Sequence, residues 1–184
     1  QAFHLGEELT ADGVEVTLCG KGPGGRIAEV GEPNFSCITY DGLDRRLRSW
    51  SREPGETIVC AWTPREIVRA ATEKAIAALD CPYIVHLEDN EWYLYGVAVG
   101  HSVEEVRRLS MAEQDRLTPP TLIHPTRSER FMSAAAGITV ITEELNEFNH
   151  AGRPHHVARP GIDSERFRPD VEPPLRREAL GIGP

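Results

Sequence analysis

The chain has 184 residues and a formal net charge of −9, and its pI is near 5.3. This length is enough for one domain with a hydrophobic core. A nucleic-acid interface needs a concentrated basic face, so the acidic balance argues against nucleic acid as a partner. No run approaches the roughly 20 apolar residues of a membrane span, and no signal-peptide pattern opens the chain. We therefore expect a soluble, cytoplasmic protein, for which peripheral membrane contact stays possible.

The first part of the chain predicts a helix, a strand, a loop and a second strand. An amphipathic helix starts near Gln1, which is not a Met, and ends at Asp12-Gly13. Residues 14–19 and 35–40 alternate and are rich in strand-forming residues. The glycine-rich segment 21–25 is followed by neither Gly-Lys-Ser/Thr nor a clear helix, which favours a flexible loop over a phosphate-binding loop.

Helices and strands then alternate regularly. Helices are predicted at 42–50 and at 64–79, the second with Pro64 in its first turn. Strands are predicted at 57–62 and 82–89. Because these strands are almost continuously apolar, they suit a parallel sheet with helices on both faces.

The last part of the chain begins with an irregular stretch. Residues 90–120 contain a helix at 103–109 and no convincing strand, which suggests an insertion over one edge of the sheet. Order returns with a helix at 121–135, a strand at 138–142, a helix from Glu143 to Gly152 and a strand at 155–158. The whole pattern predicts an α/β, Rossmann-like domain with a mostly parallel sheet.

The cysteines are widely spaced and form no CxxC pair. They are Cys19, Cys37, Cys60 and Cys81. Three lie in or beside apolar runs of strand type, which is typical of small buried hydrophobic residues in a reducing compartment. We expect all four to be reduced and to face the core.

Polar side chains follow the predicted strand at 82–89. His86 and Asp89 stand at its carboxyl end, where open α/β sheets bind ligands. A histidine there can hydrogen-bond a ligand, and carboxylates can orient it. The alternatives are a solvated turn, or a helix cap formed by Asp89 or Asn90. His155 and His156 are adjacent in a strand and point to opposite faces, so we expect no metal site there.

A longer stretch, residues 130–170, carries a resemblance. It is similar to the end of the N-terminal domain of family four glycosyltransferases with the GT-B fold. The matching residues are Ala136-Gly137, Val140-Ile141-Thr142-Glu143, Pro160-Gly161-Ile162-Asp163, Arg166-Phe167 and Pro169.

The resemblance implies half of an enzyme. Residues 1–170 would form the acceptor-side domain, and residues 171–184 a linker towards a missing C-terminal domain that binds the donor. Such enzymes transfer a sugar from a nucleotide sugar to an acceptor with retention of anomeric configuration, and they use no metal or cofactor. The acceptor class, whether sugar, lipid or small molecule, stays open. The alternative is a catalytically silent α/β module that binds a small ligand or a partner.

Several site residues follow from these arguments together. The resemblance makes His86 the cleft-facing catalytic residue and gives Thr142-Glu143 a role at the cleft, although Thr142 is also a good helix cap. Gly161 would allow a turn that another side chain would obstruct, or one that needs a positive φ. Asp163 would cap the turn that follows, and an ordinary capped turn without ligand contact is the alternative. We expect His86, Asp89 and Gly161 along one edge of the sheet.

Overall fold

The computed structural model of the protein describes residues 1–22, 31–50 and 56–159, together with the single residues Gly161 and Gly181. Asp163 lies outside the described residues, as does the predicted linker at 171–184 apart from Gly181.

The strands in the described ranges form two parallel sheets. β1 pairs with β2, and the other four strands follow the order β3-β4-β5-β6. The carboxyl ends of β3, β4, β5 and β6 therefore meet at one edge of the larger sheet. The expected Rossmann-like α/β fold is confirmed. The strands are β1 Thr17–Gly20, β2 Ser36–Thr39, β3 Val59–Trp62, β4 Tyr83–Leu87, β5 Gly137–Val140 and β6 His155–Val157.

Helices connect these strands, and no described helix has the length and apolar character needed to cross a membrane. The helix before β1 ends as expected, with Asp12 as its C-cap and Gly13 at φ +85°. The helices are α1 Ala2–Ala11, α2 Tyr40–Trp50, α3 Glu66–Leu79, α4 Glu91–Val99, α5 Val103–Val106, α6 Met111–Leu117 and α7 Pro125–Ala134, and a 3-10 helix spans Glu143–Phe148.

Helix α3 joins the two parts of the core. Its Ala75 packs with Leu43 and Leu47 of α2 in a small cluster beside the two-stranded sheet. On the same helix, Val68 and Ile76 pack against the larger cluster under β3, β4 and β5. The larger cluster buries Ala61, Tyr83, Val85, Leu87, Trp92, Tyr95, Val106, Ile123, Phe131, Met132, Ala135, Ile138, Val140, Leu145 and Phe148.

The stretch 90–120 was wrongly predicted as an irregular insertion. It forms three consecutive helices, α4 to α6, and Tyr95 and Val106 are fully buried in the main core. Helix α4 is apolar nearly all round, so it shows no single apolar stripe that periodicity could detect. Gly96 permits its close packing, because a Cβ there would lie 2.6 Å from the carbonyl oxygen of His101.

The cysteine prediction was partly wrong. All four thiols are free, but Cys37 and Cys60 are exposed, while Cys19 and Cys81 are only half-buried. Cys37 lies in β2 and Cys60 in β3, each at the end of its sheet's strand order, where fewer neighbours cover a side chain. Burial raises the pKa of the Cys19 thiol to about 11, so this thiol is protonated at neutral pH.

Candidate functional site

A row of four side chains crosses the larger sheet near its carboxyl edge. Trp62 of β3 is in register with His86 of β4, His86 with Thr139 of β5, and Thr139 with His156 of β6. Residues in register on parallel strands project to the same face. Strand pairing therefore brings His86 between an aromatic ring and a hydroxyl, although these residues are far apart in sequence.

Two neighbouring side chains contact the His86 ring. The residue is only 3% exposed, and its Nδ1 lies 2.8 Å from Oγ1 of Thr139. The Trp62 ring packs on it with 4.2 Å between ring centroids. The other ring nitrogen, Nε2, is buried and has no hydrogen-bond partner among the described residues, and Oε1 of Glu88 is 4.0 Å away. His86 thus offers one unsatisfied polar atom at the edge of the sheet.

The charge state of His86 follows from its surroundings. Burial lowers the pKa of the imidazole, Glu88 opposes this effect, and the amino group of Gln1 adds to the lowering. Because the net shift is downward, the ring is neutral at physiological pH. A neutral imidazole has one N–H donor and one acceptor nitrogen.

Backbone strain adjoins the histidine. Thr63 follows β3 directly, has φ +69° and is 6% exposed, and its N–H donates to the carbonyl oxygen of His86 at 2.9 Å. A positive φ is unusual for a β-branched residue, and strained residues of this kind concentrate at functional sites. No sequence pattern predicted this positive φ, because a residue before proline is normally extended.

An ion pair ties together the two helices that start at this edge. Arg65 precedes α3, and its Nε and Nη2 atoms lie 2.9–3.1 Å from the carboxylate of Glu91 in α4. The Glu91 side chain is only 4% exposed. Hydrogen bonding to Glu91 raises the pKa of Arg65, so the guanidinium stays charged. Sequence reasoning missed this pair because its members are distant in the chain and belong to no motif.

Asp89 lies at the predicted edge with a half-exposed carboxylate. Its Oδ2 is 3.7 Å from Nη2 of Arg65, and its side chain is 54% exposed. The cap of α4 is Asn90, whose side chain accepts a hydrogen bond from the N–H of Tyr93 at 2.9 Å. Of the two capping alternatives, Asn90 is therefore the one observed, and the Asp89 carboxylate is left to face the surface.

Thr142 and Glu143 follow β5 at the same edge, but they differ from the prediction. The expected α-helix is a 3-10 helix, and Thr142 stands at its N-cap without a side-chain capping bond. A backbone hydrogen bond and, after it, the hydroxyl of the exposed Thr142 lower the pKa of the Glu144 carboxylate. Glu143 is exposed and lies 3.1 Å from Nε2 of His155 in β6, so it links β6 to the end of β5.

Gly161 follows the carboxyl end of β6, on the same side of the sheet as the end of β4. The predicted reason for a glycine there was wrong. Its φ is not in the left-handed region, and a Cβ added to it would meet no atom of the described residues within 4 Å. Neither backbone conformation nor the described neighbours therefore demand glycine.

A charged network lies next to this edge and joins three helices. Glu66 of α3 pairs with Arg69 at 2.7 Å and with Arg127 of α7 at 3.3 Å. Arg127 also contacts Asp115 of α6, which lies 3.2 Å from the fully buried ring of His124. Each carboxylate in the network has a cationic or imidazole partner. This pattern indicates that the network holds α3, α6 and α7 together.

A small cavity lies beneath the ion pair of Arg65 and Glu91. Its volume is about 10 Å³, and Asp89, Glu91, Trp92 and Phe148 are among its lining residues. The indole N–H of Trp92 is buried and has no partner in the described ranges. A space of this volume holds about one water molecule and is far too small for a sugar.

Comparisons with protein-family models, with curated proteins and with solved structures found no match to this chain.

Proposed function

We propose that this chain is the N-terminal, acceptor-side domain of a retaining glycosyltransferase of the GT-B type, which transfers a sugar from a nucleotide-sugar donor to an acceptor. The observation that carries the proposal is the buried ring of His86 at the carboxyl edge of a parallel sheet, whose Nε2 finds no partner within residues 1–22, 31–50 and 56–159. A buried polar atom without a partner is costly, and this edge is where open α/β sheets bind ligands. The resemblance of residues 130–170 supplies the reaction class.

In the proposed reaction His86 and Asp89 act on the sugar. The neutral imidazole donates a hydrogen bond to a sugar oxygen, and the exposed carboxylate of Asp89 accepts one from a sugar hydroxyl. His86 lies in β4 and Asp89 stands two residues beyond the end of that strand, so both residues are at the same edge of the sheet. Such positioning lowers the barrier to transfer by holding acceptor and donor in a reactive orientation.

The departing nucleoside diphosphate needs positive charge. Arg159 is exposed and stands two residues beyond the end of β6, at the same edge as His86. Its guanidinium is one group that can stabilise the developing charge, together with backbone N–H groups. We place the rest of the donor site in a second domain, and we include no metal ion or cofactor in the reaction.

One observation favours the alternative of a catalytically silent binding module. Arg65, the guanidinium nearest to Asp89 in the described ranges, is held by Glu91 and carries no unpaired charge for a diphosphate. A module that binds a neutral small ligand would need no such charge. Transfer of a sugar to an acceptor distinguishes the glycosyltransferase from the silent binding module.

The test is release of nucleoside diphosphate by the full-length product of the gene that encodes this chain, incubated with a panel of nucleotide sugars and candidate acceptors. We expect one nucleotide sugar to yield diphosphate and a glycosylated product whose anomeric configuration matches that of the donor. The 184-residue chain alone should bind the same donor only weakly, with a Kd of about 1 mM or higher. Binding of a small ligand without any transfer would favour the silent module.

A further inference from the structure

The contact between His86 and Thr139 leaves one question open, which is the position of the imidazole hydrogen. The two side chains are in register on β4 and β5, with Nδ1 and Oγ1 2.8 Å apart. A threonine hydroxyl can either donate a hydrogen bond or accept one. The distance between the two atoms therefore allows both neutral forms of the ring.

The opposite side of the ring decides between them. Oε1 of Glu88 is 4.0 Å from Nε2, and no other group in the part of the chain that the structure describes reaches this nitrogen. A carboxylate can only accept. A bare nitrogen lone pair facing that negative charge is unfavourable, whereas an N–H dipole directed at it is favourable. The hydrogen accordingly belongs on Nε2, which leaves Nδ1 to accept from Thr139.

We infer that Thr139 is a positioning residue for His86: its hydroxyl donates to Nδ1 and holds the orientation of the ring, while the Glu88 carboxylate favours the hydrogen on Nε2. His86 then presents a hydrogen-bond donor at the sheet edge, so its ligand is an acceptor oxygen, and the ring does not act as a base through Nε2. The ligand role rests on the proposed function, but the hydrogen position does not.

The hydrogen position can be measured directly in the ¹⁵N-labelled chain. Long-range ¹H–¹⁵N correlation spectra at neutral pH distinguish a protonated from an unprotonated ring nitrogen. We expect Nε2 of His86 to be the predominantly protonated nitrogen, because an N–H dipole there is directed at the Glu88 carboxylate. Protonation mainly on Nδ1 would overturn the inference, and this result needs no variant.

Variants test the role of Thr139. Thr139→Ser keeps the hydroxyl and should keep the wild-type pattern, whereas Thr139→Val leaves Nδ1 without its partner and should shift the Nδ1 signal. Glu88→Gln removes the negative charge near Nε2 and should reduce the preference for a hydrogen on Nε2. Thr72→Val makes the same chemical change as Thr139→Val at a buried position of α3 and should leave the His86 signals unchanged. If Thr139→Val folds and leaves the Nδ1 signal unchanged, Thr139 does not hold the ring.

Activity separates this inference from the proposed function. In the full-length protein, Thr139→Val should lower the rate of sugar transfer and Thr139→Ser should restore it. A ring protonated on Nε2 in a protein that transfers no sugar would leave the positioning role standing and would refute the proposed function. Sugar transfer by a protein whose ring is protonated on Nδ1 would refute the inferred hydrogen position and would leave the proposed function standing.

Discussion

The guanidinium of Arg65 forms hydrogen bonds of 2.9–3.1 Å with the carboxylate of Glu91, which is 4% exposed. The pair connects the starts of α3 and α4 beside the candidate site. Burial raises the pKa of Glu91, and the hydrogen bonds from Arg65 oppose that rise. The buried acid therefore depends on Arg65 for its charge.

Arg65→Met should destabilise the fold by about 2 kcal/mol at neutral pH, because it leaves a buried carboxylate without a partner. The loss should shrink at about pH 4. The folded-state pKa of Glu91 is already raised, and with Arg65 gone it rises further above its unfolded value, so stability is greatest in acid and falls as pH rises through the folded pKa. Urea unfolding at both pH values measures this.

The matched control for that experiment is Lys74→Met. Lys74 pairs with Asp44 at 3.1 Å, but both side chains are more than half exposed. Its loss should change the free energy of unfolding by no more than about 0.5 kcal/mol. An equal loss of unfolding free energy in the two variants would show that burial of Glu91 does not strengthen its pair with Arg65.

His86 should make the protein less stable in mildly acidic solution. Its pKa is lowered by burial in the folded state, so the unfolded chain binds the proton more readily. The contribution of His86 is complete above its unfolded pKa of about 6.5 and is lost as pH falls through the lower folded pKa. Urea unfolding across this range should show a shallower pH dependence for His86→Gln than for the wild type. The exposed-site variant His4→Gln should follow the wild type.

The packing of α4 against the turn after it predicts that alanine at position 96 lowers the free energy of unfolding. Gly96→Ala would place Cβ 2.6 Å from the carbonyl oxygen of His101. Overpacking costs about 1–3 kcal/mol and outweighs the helix-propensity gain of about 1 kcal/mol, so a net loss of about 1 kcal/mol is expected. Gly161→Ala, which meets no atom within 4 Å, should be neutral. A stable Gly96→Ala protein would contradict the close packing.

Thr142 and Ser110 occupy the same position relative to their helices but should respond differently to alanine. Ser110 forms a capping box with Glu113, and Ser110→Ala should cost about 1 kcal/mol of unfolding free energy. Thr142 has no capping bond, so Thr142→Ala should cost less than about 0.5 kcal/mol. If Thr142 contacts a ligand, Thr142→Ala should nevertheless slow transfer in the full-length protein. A full stability loss would instead identify Thr142 as a structural cap.

The sequence predicted the parallel α/β fold well because its strands are compact apolar runs and its helices α1 to α3 carry clear periodicity or end signals. It failed where a helix such as α4 is apolar all round and has no stripe to detect. Element ends were also displaced, as for the 3-10 helix at Glu143–Phe148.

The candidate site was predictable only where it follows strand ends. His86 and Asp89 were found because the carboxyl end of a buried strand is a general site position. The partners of His86 depend on strand register, which places Trp62 and Thr139 beside it from other strands. Arg65, Glu91 and the positive φ of Thr63 arise from tertiary contacts, and no local pattern announces them.

The most direct test of the central claim compares sugar transfer by the full-length protein and by its His86→Ala variant, with the best donor and acceptor from the panel. The account predicts that the variant keeps the fold, as judged by circular dichroism, and loses more than about tenfold in turnover, which corresponds to about 1.4 kcal/mol of barrier. His150→Ala, an exposed histidine after the 3-10 helix, should transfer at the wild-type rate. Transfer by His86→Ala at the wild-type rate, or no transfer from any nucleotide sugar, would contradict it.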